Sequence, residues 1–494
     1  MSPEIVVRAD ASRSVGLGHV ARCLALARAL RRRGAEVTFL CRSLPGDAGE
    51  RILREGFALQ RLELASHSES EDAAACLAWL QRRPGVRWLI VDHYELGADW
   101  ERFLRPHVGE LLAIDDLPAR RHCCDLLLDP NLSAQPPGRD ERGAGAWLAG
   151  PRYALLDAAF AAVGEARGAQ VAQARKVLLS FGGADGGGDT EKALRALAAV
   201  DWRGQVEVVI GPANERRRQI ETLAARLPAA RCLYDITAAE MAAAMGRAEL
   251  AVGAGGGSAL ERCAAALPGL AIAQADNQRT PARLLAEHGA QLYLGESSTV
   301  DEEQIARAVL LLAENANLRH SMARRGRELV DGLGAERLAR RLCRPQVLLR
   351  PARHDDCEAV WHWRNAPEVR RYSGDGKAIA WSVHRAWFEA VLADASRHLF
   401  IGESEGRPVG VLRFDLAHDE AEVSIYLCPD RHGQGYAAAL LAQGHRWLRE
   451  HCPGLRRVIA EVRSDNAASL ALFRGQGYRP WKQQWVYSME TELS

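Results

Sequence analysis

Three glycine-bearing segments of this sequence combine residue types that do chemistry. The first is Asp10-Ala11-Ser12-Arg13-Ser14-Val15-Gly16-Leu17-Gly18-His19. Gly16 and Gly18 let backbone come close to a ligand, and His19 opens a helical pattern, where the positive end of the helix dipole favours a neutral imidazole. A neutral imidazole can accept a proton from water near pH 7. Spacing alone describes His19 equally well as a helix cap, and both readings stand at this point. The second segment is Gly253-Ala254-Gly255-Gly256-Gly257-Ser258, followed by Glu261. Consecutive small residues expose backbone N–H groups and the next helix adds its positive end, which together make a seat for a pyrophosphate. Glu261, about one turn into that helix, is placed to accept hydrogen bonds from ribose hydroxyls. Ser180-Phe181-Gly182-Gly183-Ala184-Asp185 forms a further turn after a strand, facing the expected cleft, and its glycine spacing differs from that of the dinucleotide fingerprint. The third segment, Pro429-Asp430-Arg431-His432-Gly433-Gln434-Gly435-Tyr436-Ala437, lies between a strand and a long helix and forms another diphosphate cradle.

The elements around these loops alternate. Ile5 to Arg8 reads as a strand, His19 to Arg33 as a helix closed by Gly34, and Glu36 to Leu40 as the next strand; Trp88 to Asp92, Leu111 to Ile114 and Leu126 to Leu128 continue the series, with a helix across Asp72 to Arg82. The Ala/Gln-rich stretch Ala161 to Ala174 separates this series from a second one, with strands at Val177 to Leu179, Val206 to Ile210, Leu250 to Val252 and Leu270 to Ala273, and helices at Asn214 to Leu227 and Ser258 to Ala266. Alternation of this kind predicts an α/β protein with two tandem doubly wound units and a ligand cleft at the carboxyl ends of the strands. After Arg344-Pro345 the strands Leu399 to Gly402, Val409 to Phe414 and Ala421 to Leu427 follow one another directly, which predicts a separate α+β module. The expected domains are 1–160, 161–345 and 346–494.

Composition narrows the function classes. Lys plus Arg number 64 against 63 for Asp plus Glu, so no whole-protein field draws in nucleic acid or an anionic membrane, and neither is an expected partner. Arg31-Arg32-Arg33, Arg216-Arg217-Arg218 and Arg340-Arg341 read as solvated helix faces. Eleven cysteines without a Cys-x-x-Cys pair, and no apolar leader before Ile5-Val6-Val7, point to a cytoplasmic protein with reduced thiols. Cys123-Cys124 has no second pair to complete a zinc site, and no metal is expected.

Arg8-Ala9-Asp10-Ala11-Ser12, Gly16-Leu17-Gly18-His19 with Arg22-Cys23, Ser180-Phe181-Gly182-Gly183, Gly255-Gly256-Gly257-Ser258 with Glu261, and Ala275-Asp276-Asn277-Gln278 occur in the order found in one family. Together with Gly150-Pro151-Arg152-Tyr153-Ala154-Leu155-Leu156, they resemble the UDP-2,4-diacetamido-2,4,6-trideoxy-β-L-altropyranose hydrolases of pseudaminic acid biosynthesis, relatives of glycosyltransferases with the two-domain GT-B fold. The resemblance, over residues 4–340, implies water attack at the sugar's anomeric carbon with release of UDP and His19 as general base. Asp10, Asp92 and Asn131 follow predicted strand ends and are candidates to position sugar or water, or else short polar side chains that only cap those strand ends. Gly16, Gly18, Arg22, Gly182, Gly183, Gly256, Gly257, Ser258, Glu261, Asn277 and Gln278 would hold UDP and sugar, without a metal.

The third loop, with Ser464-Asp465-Asn466-Ala467-Ala468-Ser469 and Leu470 to Tyr478 downstream, resembles the GNAT acetyltransferases. Leu427, Arg431, His432, Gly433, Gln434, Gly435, Tyr436, Ala437 and Asn466 would then hold acetyl-CoA as cosubstrate, with His432 standing where the family has Gln or Arg. Phe473 occupies the place of the family's usual tyrosine acid, which leaves Tyr478 or Tyr436 to protonate the thiolate and Glu422 as a possible proton relay. Trp361, Trp363, Trp381, Trp387 and His384 fit either a substrate pocket or a core. Leu349-Arg350-Pro351-Ala352-Arg353 and Trp363 to Arg370 are similar to amine-acetylating members, including the N-acetyltransferase of UDP-4-amino-4,6-dideoxy-N-acetyl-β-L-altrosamine. The two resemblances imply consecutive steps on one UDP-sugar. The alternatives are a glycosyltransferase joined to a protein N-acetyltransferase, or to a non-catalytic acyl-CoA binding module.

Overall fold

A computed structural model describes residues 3–12, 16–64, 68–117, 120–132, 145–168, 171–372, 376–481 and, as backbone, 484–488. Arg13, Ser14 and Val15 of the first loop lie outside the described residues. The chain divides into two compact units, Met1–Cys343 and Arg344–Ser494.

The first unit carries two parallel sheets. Strands β1 (Glu4–Ala9), β2 (Glu36–Arg42), β3 (Ala58–Leu62), β4 (Trp88–Asp92), β5 (Glu110–Ile114), β6 (Leu126–Asp129) and β7 (Trp147–Ala149) lie in the order β3-β2-β1-β4-β5-β6-β7. Strands β8 (Lys176–Ser180), β9 (Gln205–Ile210), β10 (Ala230–Tyr234), β11 (Leu250–Ala254), β12 (Gly269–Ala273) and β13 (Leu292–Glu296) repeat the winding as β10-β9-β8-β11-β12-β13. The central strands are apolar at nearly every position because both faces are covered: Ile5, Val7, Ile90 and Leu112 point into one core, and Val6, Leu89, Val91 and Leu111 into another. Winding order reverses between β1 and β4 and again between β8 and β11, and at such a reversal the flanking helices diverge and leave a crevice.

The helix Gly18–Arg32 buries Val20, Cys23, Leu24, Ala27 and Leu30, an i, i+3, i+4, i+7 stripe, and stops where Gly34 takes φ +80°. The expected helix at Asp72 starts earlier, as Glu69–Leu80, because the Ser68 side chain accepts the Glu71 N–H. The expected helix over Asn214 to Leu227 is shorter, Arg217–Ala224, since Asn214 Oδ1 turns the chain by accepting the Arg216 N–H at 2.8 Å. Running into the stretch read as a separator, Ala158–Ala166 is a helix capped by Asp157, with Phe160 and Ala161 buried. The helix Gly334–Leu342, distant in sequence, adds Leu338, Ala339 and Leu342 to the core of the first sheet.

The second unit is built on a mixed sheet of β14 (Leu348–Pro351), β15 (Arg397–Ser404), β16 (Arg407–Ala417), β17 (Glu420–Leu427), β18 (Arg457–Ala460), β19 (Arg479–Trp481) and β20 (Gln484–Ser488), ordered β14-β15-β16-β17-β18-β20-β19. Its pairs are antiparallel except β17 with β18. Among the described residues no helix is long and apolar enough to cross a membrane.

Candidate functional site

In the first unit a cleft of about 640 Å³ opens at both reversal points. Gly18, His19, Arg22, Asp116 and Asn131 line it from the first sheet; Gly182, Gly183, Gly256, Gly257, Ser258, Glu261, Asn277 and Gln278 line it from the second.

His19 sits in the first turn of its helix, and its Nδ1 lies 2.6 Å from Asp92 Oδ1 at the end of β4. A buried carboxylate accepts the Nδ1–H and so selects the tautomer that leaves the Nε2 lone pair free. No protein partner for Nε2 is found among the described residues. Arg22, one turn along the same helix, donates to both Asp92 oxygens at 2.6 Å and to Asp116 Oδ2 at 2.9 Å. Tyr94 OH donates to Asp116 Oδ1 at 2.8 Å, and its ring meets His19 edge-on. Asp92 is wholly buried, yet Arg22 and then His19 hold its carboxyl well below the usual range. Burial, and then the neighbouring Asp116, push the Tyr94 hydroxyl up. His19 is thus tied through Nδ1 to a buried carboxylate while its side chain lines the cleft. Asp92 was visible as a strand-end acid, whereas Tyr94 and Asp116 carry no local signature and were missed.

Two first-loop residues play other parts than expected. Asp10 is buried and does not line the cleft; Arg8, through Nη1 at 2.6 Å and Nη2 at 2.8 Å, and Arg42, through Nε at 2.5 Å, saturate its carboxylate. It is a structural anion that balances Arg8, itself buried against Asp72. Gly16 is likewise absent from the cleft wall: at φ +82° its N–H donates to Ser12 O at 2.8 Å and closes the turn.

Behind this row His122 bridges two carboxylates, Nδ1 to Glu101 at 2.7 Å and Nε2 to Asp115 at 3.0 Å. Despite desolvation, Asp115 and Glu101 raise its pKa to about 9. Glu101, His122 and Cys124 come close enough to suggest a metal trio. Both imidazole nitrogens lie within hydrogen-bond distance of a carboxylate, and the Cys124 thiol beside them is pushed up by burial and by Glu101.

On the opposite wall, the helix Gly257–Ala264 begins without a side-chain cap, and Gly257 has nothing within 4 Å of where a Cβ would stand. The Ala259 N–H turns back to Gly256 O at 2.8 Å, while the N–H groups of Gly257 and Ser258, two residues that line the cleft, have no acceptor among the described residues. Glu261 lines the same wall with its carboxyl pushed up to about 7 by desolvation. Gln278 Oε1 accepts the Gln274 N–H at 3.1 Å. Asp185 accepts the N–H groups of Asp189 at 2.9 Å and Thr190 at 3.0 Å, capping the next helix below the Gly182–Gly183 turn.

In the second unit β17 pairs with β18 only from Glu420 to Glu422. From Val423 to Leu427 it stays bonded to β16 alone, so one edge of the strand is open. Next comes the loop of Arg431, His432, Gly433 at φ +74° and Gly435 at φ +85°, leading into the helix Tyr436–His451, which again lacks a side-chain cap. A splayed strand followed by bare helix amides can hold an acyl thioester and a diphosphate. Gln434 Nε2 donates to Asp430 O at 2.8 Å, and Asn466 caps the helix Ala467–Gly475 by accepting the Ser469 N–H at 3.0 Å.

Residues 346–479 match the family model for the acetyltransferase (GNAT) domain. That segment is a GNAT domain. Over 506 residues, 98% of this chain and 99% of the relative, the sequence is 21% identical to an uncharacterized protein of Methanocaldococcus jannaschii. It is 28% identical over 194 residues to the spore coat polysaccharide biosynthesis protein SpsG of Bacillus subtilis, covering 38% of this chain and 56% of that protein. It is 31% identical over 133 residues to the UDP-2,4-diacetamido-2,4,6-trideoxy-beta-L-altropyranose hydrolase of Campylobacter jejuni, covering 27% and 43%. The chain thus spans less than two thirds of these last two relatives. The MurG structure of Acinetobacter baumannii superposes with a TM-score of 0.52 at 15% identity, over 69% of this chain and 99% of MurG, which gives the two parallel sheets the GT-B-like fold expected from the sequence.

Within the GNAT domain, Tyr478 is not placed as an acid. Its hydroxyl lies 2.9 Å from His445 Nε2, both residues are buried, and its ring packs edge-on against Phe473. Burial lowers the His445 pKa to about 4, so the pair is a neutral core contact. His384 is also core, 3.1 Å from Cys357 O, while Trp361 donates to Ile379 O at 2.7 Å. Glu422 pairs across the sheet with Asp415 at the surface, and partial desolvation of its carboxyl, then Glu461 and Asp415, raise its pKa.

Proposed function

We propose that the chain is a bifunctional enzyme of nucleotide-sugar metabolism. The GNAT domain acetylates the 4-amino group of UDP-4-amino-4,6-dideoxy-N-acetyl-β-L-altrosamine, and the GT-B-like unit hydrolyses the resulting UDP-2,4-diacetamido sugar at C1. One observation carries the hydrolase reading: an imidazole whose Nδ1 is tied to buried Asp92 at 2.6 Å and whose Nε2 has no partner among the described residues shares a cleft with an uncapped glycine helix start. Water gives its proton to His19 Nε2 as its oxygen attacks the anomeric carbon; the C1–O bond to UDP breaks, and the amides of Gly256 to Ser258 take up the charge on the leaving diphosphate. Asp92 stabilises the imidazolium and Arg22 keeps Asp92 ionised. In the GNAT domain, acetyl-CoA as cosubstrate lies along the open edge of β17 with its pyrophosphate at Gly433 to Ala437; the amine nitrogen attacks the thioester carbon, the C–S bond breaks, and coenzyme A leaves as the thiol with the proton that the amine gives up. The name of the relative from Campylobacter jejuni supports the sugar, and the relative matched over nearly its whole length shares the joining of the two segments in one chain.

The test supplies acetyl-CoA and the 4-amino UDP-sugar to the full chain and follows CoA, UDP and free sugar by NMR. Release of CoA and then of UDP with the free diacetamido sugar is expected. UDP release only when a sugar acceptor is added would make the first unit a glycosyltransferase.

A further inference from the structure

The buried cation at the second reversal point has no counter-charge. Arg262 lies on the helix Gly257–Ala264 and is 3% exposed. Its guanidinium turns back toward the helix start, as long helical side chains do. It reaches only neutral acceptors: Ala254 O at 3.0 Å, Gln291 Oε1 at 3.3 Å and Ser258 Oγ at 3.4 Å. Among the described residues no carboxylate lies within ion-pair distance of it. Gly253 makes the room: a Cβ there would stand 2.8 Å from Arg262 Nη1 and 2.5 Å from Ser180 O on the neighbouring strand. The charge is therefore housed between the ends of β8 and β11, under the loop that carries Gly255 to Ser258. Desolvation draws its pKa down to about 10, the mark of a cation kept without an anion. Arg8, equally buried, has Asp10 and Asp72 as partners, and buried Arg319 is spent on the carbonyls of Leu312 and Ala313 away from the cleft.

We propose that Arg262 is the charge complement of the diphosphate and the residue that makes this seat select a nucleoside diphosphate over an uncharged nucleoside. This rests on the reading of the cleft as a UDP site. Arg262 touches the ligand's seat through Ser258 and the Ala254 carbonyl, so it is a positioning and specificity residue, acting by its field and by fixing the loop. A buried ion lacking a partner costs stability until an anion arrives, and an apolar side chain of similar volume removes that cost.

The test is calorimetric binding of UDP and of uridine to the full chain and to the variants Arg262→Met and Arg262→Lys, with denaturation midpoints measured without ligand. Arg262→Met should lose at least about tenfold in UDP affinity, change uridine affinity less than about threefold, and unfold at the same or higher denaturant. Arg262→Lys should recover most of the UDP affinity. Equal losses for UDP and uridine, or unchanged UDP affinity in Arg262→Met, would overturn the proposal alone. Should Arg262→Met not fold, the Lys variant decides: UDP affinity within about threefold of wild type with uridine unaffected supports the charge, and parallel loss of both refutes it. A wild-type chain that binds neither compound would overturn the UDP reading and this proposal together.

Discussion

The two parallel sheets reverse at equivalent places and furnish them in opposite ways. Where β1 meets β4, each buried cation is matched: Arg8 by Asp10 and Asp72, Arg22 by Asp92 and Asp116, and His122 by Glu101 and Asp115. Where β8 meets β11, Arg262 and the bare amides of Gly256 and Gly257 have no anion. A site that moves a proton needs its imidazole held in one tautomer, and paired charges do that. A site that must receive a dianion needs its positive charge left over. Similar winding thus serves opposite electrostatics, chosen by a few side chains at the strand ends.

The comparison breaks first at His19. His19→Ala should lower UDP release about a thousandfold, within the usual range for general-base removal, while UDP affinity stays as in wild type. Asp92→Asn should cost about a hundredfold or more because the amide no longer fixes the Nδ1–H tautomer; wild-type turnover in that variant would show that the pair is only structural. Next comes the alkaline side of stability. Because the His122 pKa is raised from 6.5 to about 9 in the folded chain, its contribution is complete below pH 6.5 and lost as pH rises through 9. That loss amounts to roughly 3 kcal/mol at most, and His122→Gln should flatten the slope in denaturation midpoints measured from pH 6 to 10. On the opposite wall, Gly257→Asp places a negative charge in open space at the helix start. It should leave the fold intact yet weaken UDP binding about tenfold by titration. The smallest effect belongs to the GNAT domain. Gly435→Ala forces a Cβ into φ +85° against Pro345, 3.3 Å away, and should raise the acetyl-CoA KM about fivefold without touching UDP release.

Much of this was legible without coordinates. Alternating apolar runs gave nearly every long strand, since a strand covered on both faces must be apolar throughout. The short strands β3, β7, β10 and β13 were not read, because three to five residues with mixed polarity resemble any loop. The glycine loops and His19 stood out locally, so the cleft-lining set was largely named in advance. Asp10 and Tyr478 misled for a common reason: a motif position says which residue is present, and not whether its polar atom has already been claimed by Arg8 and Arg42 or by His445.

Local physics therefore determined the winding, the helix starts that can meet phosphates and the presence of a histidine at one of them. What only the tertiary structure decided was which charges are matched. Asp92 reaches His19 across 73 residues, Asp72 reaches Arg8 across 64, and Arg262 is left without a carboxylate although Glu261 is its neighbour in sequence. Pairing depends on distances between side chains from separate elements, and those distances exist only once the sheets are packed.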